Sequence, residues 1–167
     1  MTPLPASPAP GQNQLGEPED SVAPPAPRVD FGLTSDLSKV ASGQQFNLTV
    51  TIDAGPGRPV DAAQAYLEFD AAVFRAIDIT PGPLLPLEFQ SQIDNGLGQA
   101  NYAAGTMGDA AAAPFSLATV RFTALAPTGT EGTTIGFAPS QNPRWTKSAA
   151  AGRENAGNLG SITIVVE

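Results

Sequence analysis

The chain has 167 residues, sixteen acidic and eight basic, with neither histidine nor cysteine and a net charge of −8. The missing imidazole and thiol remove the commonest soft metal ligands, thiol nucleophiles and disulfides, and localisation stays open on that count. No lysine-arginine cluster is present to neutralise phosphates, so no nucleic-acid partner is expected; the acidic balance disfavours an anionic membrane surface, and no run of about 18 apolar residues suggests membrane insertion.

The opening, MTPLPASPAPG, lacks a basic n-region and an apolar h-region, so a secretory signal is either unused or already removed. Residues 1–27 hold eight of the seventeen prolines together with Glu17, Glu19 and Asp20. That density blocks ladders and helices and reads as a disordered linker or tail. The alternative is that a short apolar part of it lies against the domain or a neighbouring subunit.

The domain is expected over residues 28–167. Val29, Phe31 and Leu33 alternate as a first strand, and Ser35 to Gln44 form a connection with Ser42-Gly43 as turn material. Phe46, Leu48, Val50 and Ile52 alternate with Gln45, Asn47, Thr49 and Thr51, which predicts a half-buried strand. AGPGRP (54–59) is a loop, because its glycines and prolines exclude a ladder. In the next strand Ala63, Ala65, Leu67 and Phe69 share one face, and Ala62, Gln64, Tyr66 and Glu68 the other. Asp70 closes it, Ala71 to Phe74 turns, and Ile77 and Ile79 resume the alternation up to Pro81-Gly82.

Leu84 to Gln90 is broken by Pro86 and reads as an edge strand at best, followed by the turn signal Asp94-Asn95-Gly96. Gln99 to Ala103 is a strand carrying Tyr102, and GTMGDAAAAP (105–114) leaves room for one helical turn. In Phe115 to Leu125, Ala118, Val120, Phe122 and Ala124 face opposite to Thr119, Arg121 and Thr123. Thr133 to Ala138 is a further strand, Ser140 to Leu159 a long polar excursion containing Trp145, and SITIVV (161–166) the closing strand. Eight or nine short strands with turns every 8 to 12 residues predict an all-β sandwich.

Particular stretches resemble the cohesin domain family. They are VASGQQFNLTVTIDAG (40–55), AQAYLEFDAAVFRAIDITPG (63–82) with its aromatic-Asp strand end and Pro-Gly stop, PFSLATVRFTALAPTGTEGTTIGF (114–137) and GNLGSITIV (157–165). The resemblance implies a nine-stranded jelly-roll-like β-sandwich, secreted or on the cell surface, whose sheet face binds a dockerin module of another protein. It places the partner-binding residues at Ala62, Gln64, Tyr66 and Glu68. Well-known cohesins carry an Asn and an Asp at the positions matching Ala62 and Gln64, so the usual polar anchors are replaced here.

The residues themselves offer little for catalysis. Glu68, Asp70 and Asp78 could act as paired carboxylates only if they converged, and each is better read as a solvated or turn-capping group. No glycine-rich phosphate loop opens a helix, and no cofactor is expected. Oxygen-ligated structural calcium around Asp94, Asn95 and Asp109 has no motif behind it. Tyr66, Tyr102 and Trp145 are the candidates for stacking on a polysaccharide, with Trp145 alternatively a lid over one end of the sandwich. Asn47-Leu48-Thr49 fits the N-glycosylation pattern. The function expected is non-catalytic extracellular protein recognition. Its alternatives are a carbohydrate-binding module and a self-associating structural subunit of a surface layer or filament.

Overall fold

Alternation governs this chain because each strand turns one face toward the opposite sheet and the other outward. The structure, a computed structural model, describes residues 27–138 and 145–167, and among these there is no helix. The first strands are β1 (Val29–Ser35), β2 (Lys39–Val40), β3 (Gln45–Ile52), β4 (Ala62–Glu68) and β5 (Phe74–Pro81). They are followed by β6 (Leu87–Asp94), β7 (Gln99–Gly105), β8 (Phe115–Ala124) and β9 (Thr133–Phe137). The last four are β10 (Lys147–Ala150), β11 (Arg153–Glu154), β12 (Ala156–Leu159) and β13 (Ser161–Val166). Nine of them have five or more residues, the expected number, and the four shorter ones are additions. The expected tail over residues 1–27 lies outside the described residues except for Pro27.

Two sheets pack face to face. One has the order β12-β1-β3-β8-β5. In the other, β6 pairs with β7 and β7 with β4, and the far edge of β4 is divided between two partners. Ala62–Gln64 pair with β10, which leads to β11, while Leu67 and Glu68 pair with β9, which leads to β13 and β2. Strand β4 is thus the central element of its sheet, hydrogen-bonded to three neighbouring strands, β7, β9 and β10.

The core is the space between the sheets. Phe46, Leu48, Val50 and Ile52 of β3 meet Ala63, Ala65 and Leu67 of β4 and Ala118, Val120, Phe122 and Ala124 of β8, all buried. Phe122 lies at its centre. Phe46 stacks on it at 5.5 Å between ring centroids, while Phe69 at 5.1 Å and Phe74 at 6.2 Å meet it edge to face. These offset and T-shaped contacts are the arrangements the ring quadrupoles favour. Gly98 seals the adjacent turn: it holds a φ of +67°, and a Cβ there would come within 2.1 Å of the Phe69 carbonyl oxygen.

Four expectations need correction. The polar excursion over Ser140 to Leu159 contains β10, β11 and β12, because its inward positions are polar rather than apolar. Ser148 Oγ donates to Asn155 Oδ1 at 2.8 Å and Asn155 Nδ2 to the Pro59 carbonyl at 2.9 Å, so these buried groups are satisfied without an apolar alternation to betray them. Residues 105–114 form no helical turn; Ala111 instead exchanges two backbone hydrogen bonds with Val60. The alternation of Ile77 and Ile79 is broken by a bulge between Ala76 and Asp78, which leaves Ile77 turned outward and 38% exposed. Finally, the segment after Pro86 is a full eight-residue edge strand, β6, rather than a marginal one.

Candidate partner-binding face

Because side chains alternate along a strand, burying Ala63, Ala65 and Leu67 turns Ala62, Gln64, Tyr66 and Glu68 to the outer face of the sheet. Register then decides what surrounds them. Ala62 lies between Gly105 of β7 and Ala149 of β10, Gln64 between Ala103 and Lys147, Tyr66 beside Asn101, and Glu68 between Gln99 and Gly136. All four expected residues are therefore on one surface.

That surface is uneven. Ala62, Ala103, Ala149 and Gly105 form a low floor of small residues. Phe89 rises at one side of it, 66% exposed on β6 at a bulge between Glu88 and Gln90. Its ring lies against Gly105, where an added Cβ would stand 2.8 Å from the ring edge, so glycine is needed for the ring to lie there. Lys147 and Glu154 border the other side. Together they enclose a shallow concavity of about 210 Å³.

The polar residues of the face are held by one another. Tyr66 Oη reaches across β7 and donates to Gln90 Oε1 at 3.2 Å, and the Asn101 beneath it is buried. The Gln64 side-chain amide donates to the Trp145 carbonyl. Tyr66 N–H donates to Thr146 Oγ1 at 3.0 Å, closing the gap where β4 changes partner from β10 to β9. Trp145 is 39% exposed, and the Lys147 ammonium stands 4.5 Å from its ring centroid, within cation–π range.

The aromatic platform does not form. Tyr102 pairs with the inward-facing Ala65, so it points into the core and is only 3% exposed, correcting its assignment as an outward stacking residue. Burial, aided by the Glu88 carboxylate, raises its phenol pKa above the ordinary 10.0. Tyr66 and Trp145 remain at the surface, but one face of the Trp145 ring is taken by Lys147.

The other candidates are occupied structurally. Asp70 Oδ1 accepts from Ala72 N–H at 2.9 Å as a turn cap, and Asp78 pairs with Arg121. Asp94 Oδ1 accepts from the backbone N–H groups of Gly96 and Leu97, at 2.9 and 3.0 Å. Asn95 bonds both backbone groups of Ala76, pinning the β6–β7 turn to the opposite sheet. Among the described residues no three acidic side chains converge as a metal site would need. Asn47 is exposed on β3, its amide donating to Asp36 Oδ2 at 2.9 Å.

The model of the cohesin domain matches residues 32–163. The chain belongs to the cohesin family. Solved cohesins share its fold at low identity. A type II cohesin from Bacteroides cellulosolvens superposes with a TM-score of 0.67 at 18% identity, covering 83% of this chain and 99% of its own. A type II cohesin from the cellulosome of Acetivibrio cellulolyticus gives 0.66 at 15% identity, covering 83% and 95%. A chain of a type I cohesin–dockerin complex from Clostridium thermocellum gives 0.64 at 13% identity, covering 83% and 99%. No curated protein matches the sequence. Cohesin domains are typically parts of extracellular and cell-surface scaffolds, and this chain is a non-catalytic protein-recognition module of the cohesin type.

Sequence reasoning missed Phe89, Ala103, Lys147, Ala149 and Glu154 as parts of the face. Only register across β6, β7, β10 and β11 brings them to β4. The nearest signal in the chain is Phe89, set between the polar residues Glu88 and Gln90 of the edge segment.

Proposed function

We propose that this cohesin domain recognises a dockerin-type module of another protein, outside the cell, through the outer face of β4. Ala62, Gln64, Tyr66 and Glu68 are its central contacts. The supporting observation is the low floor of Ala62, Ala103, Ala149 and Gly105 between the exposed ring of Phe89 on one side and Lys147 and Glu154 on the other, a shape that lets a helix backbone approach closely. The recurrence of this fold in cohesin–dockerin complexes makes a dockerin the partner of first choice. In this reading the sandwich over residues 28–167 is the recognition unit, and the proline-rich residues 1–27 are a spacer that sets its reach.

An Ala–Gln pair in place of an Asn and an Asp removes a carboxylate from the contact and makes it less electrostatic, so affinity depends weakly on ionic strength. The test is calorimetric titration of the full chain with a panel of purified type I and type II dockerins in calcium. One or more should bind, and Gln64→Arg and Tyr66→Ala should each weaken that binding at least tenfold with unchanged circular dichroism. Binding untouched by both substitutions overturns the placement of the face. Failure of every dockerin overturns the partner class.

A further inference from the structure

We infer that the concavity beside Ala62 is a socket for one large apolar side chain, an aromatic ring or a branched aliphatic, projected by the partner. The inference rests on the proposed use of this face, and it replaces the missing polar anchors with a knob-in-hole contact.

Size is the first argument. At about 210 Å³ the hollow is smaller than the roughly 300–1,000 Å³ typical of small-molecule sites. It is of the order of the roughly 150 Å³ apolar cavity that accepts a benzene ring. One side chain fills it; a sugar chain or cofactor does not.

Lining is the second. The floor is the methyl groups of Ala62, Ala103 and Ala149, and the wall is Phe89, a ring left 66% exposed. A ring so exposed gains most by being covered, and aromatic residues set in such pockets dominate interface energies.

The rim supplies the third. Lys147 is engaged with the Trp145 ring, whereas Glu154 has no ion-pair partner among the described residues and stands at the opening. With a chain charge of −8, a cationic residue next to the apolar knob is the complementary neighbour. The partner is therefore a surface presenting a large apolar residue flanked by Lys or Arg.

The test needs no natural partner. N-acetyl-leucinamide, N-acetyl-phenylalaninamide and N-acetyl-alaninamide are titrated into the isotope-labelled full chain, and amide shifts are followed by NMR. The leucine or phenylalanine probe should give saturable shifts at Ala62, Ala103, Ala149 and Phe89 with a Kd on the order of 1 mM, and the alanine probe should bind at least fivefold more weakly. Ala62→Leu, which fills the hole, and Phe89→Ala, which removes its wall, should each weaken the best probe at least fivefold. Shifts that are absent, that map to another region, or that survive both substitutions overturn the socket. Probe binding with no dockerin binding upholds the socket and rejects the partner class. Dockerin binding unaffected by Ala62→Leu upholds the partner class and rejects the socket.

Discussion

Two phenylalanines of this chain should respond oppositely to truncation, and the contrast tests which way each strand faces. Phe122 is fully buried, with three other rings around it, whereas Phe89 is 66% exposed. A phenylalanine buries about 150–250 Å², which at about 25 cal/mol per Å² corresponds to about 4–6 kcal/mol of transfer energy. Alanine keeps its Cβ, and the unfolded chain already hides part of the ring, so the transfer loss falls to about 2–3 kcal/mol. Incomplete collapse of the site adds a cavity term, about 1 kcal/mol for roughly 40 Å³ left empty. Phe122→Ala should therefore cost about 3–5 kcal/mol, a large share of the roughly 5–15 kcal/mol that holds a domain together. Phe89→Ala should cost about 0.5 kcal/mol or less, because little of its surface leaves water on folding. Urea unfolding followed by circular dichroism measures both, with equal m-values confirming that the unfolded states are comparable. A Phe122→Ala loss under about 1 kcal/mol would reverse the assigned strand faces. A Phe89→Ala loss above about 2 kcal/mol would mean that this ring is a folding residue and not a free wall of the socket.

Ala151 sits in the left-handed region at φ 51°, followed by Gly152 at φ 74°, in the two-residue turn between β10 and β11. Such a turn favours Asn at its first position, so Ala151→Asn should stabilise the chain by about 0.5–1 kcal/mol and raise Tm by about 1–4 °C in a thermal scan; an unchanged or lower Tm refutes it. At Gly98, where φ is +67° and a Cβ would press on the Phe69 carbonyl, alanine should cost about 2 kcal/mol or more in the same urea assay, and a smaller loss means the turn can relax. Tyr102 has a folded pKa raised by burial and then by Glu88, so the folded state holds a proton that the unfolded chain releases. Its contribution is complete below about pH 10 and is lost as pH rises through the raised value. Unfolding midpoints should fall more steeply above about pH 10 in wild type than in Tyr102→Phe, and parallel curves would show that the shift is absent.

The fold was legible wherever burial was achieved by apolar atoms. Phe46 to Ile52 and Ala118 to Ala124 alternate because one side of each strand faces the other sheet, and the chain writes that directly. Legibility failed where burial was achieved by polar groups that satisfy one another. Thr146, Ser148 and Asn155 look like loop residues, yet each is buried and hydrogen-bonded. It also failed at Ile77, since a bulge shifts the face of one residue without changing composition. Tyr102 was misplaced for a related reason. In β7 the residues on both faces are mostly buried, so a sequence of small residues around one tyrosine carries no sign of which side is the core.

The site was half legible, and the halves divide along a physical line. Ala62, Gln64, Tyr66 and Glu68 belong to one strand, so a period of two was enough to put them on one face. The remaining parts lie on β6, β7, β10 and β11, and which of their residues adjoin β4 depends on register, which no local pattern specifies. The same separation has a consequence for recognition. Ala63, Ala65 and Leu67 hold β4 in the core, while the outer residues carry little of that burial. Changes at Ala62 can therefore alter what the face accepts at small cost to folding, provided the added atoms point outward and leave the Gln64–Trp145 and Tyr66–Gln90 bonds in place. With alanine at the outer position 62, β4 keeps its sheet intact and leaves a hollow beside Phe89, so that in the proposed recognition shape takes the place of charge as the basis of selection.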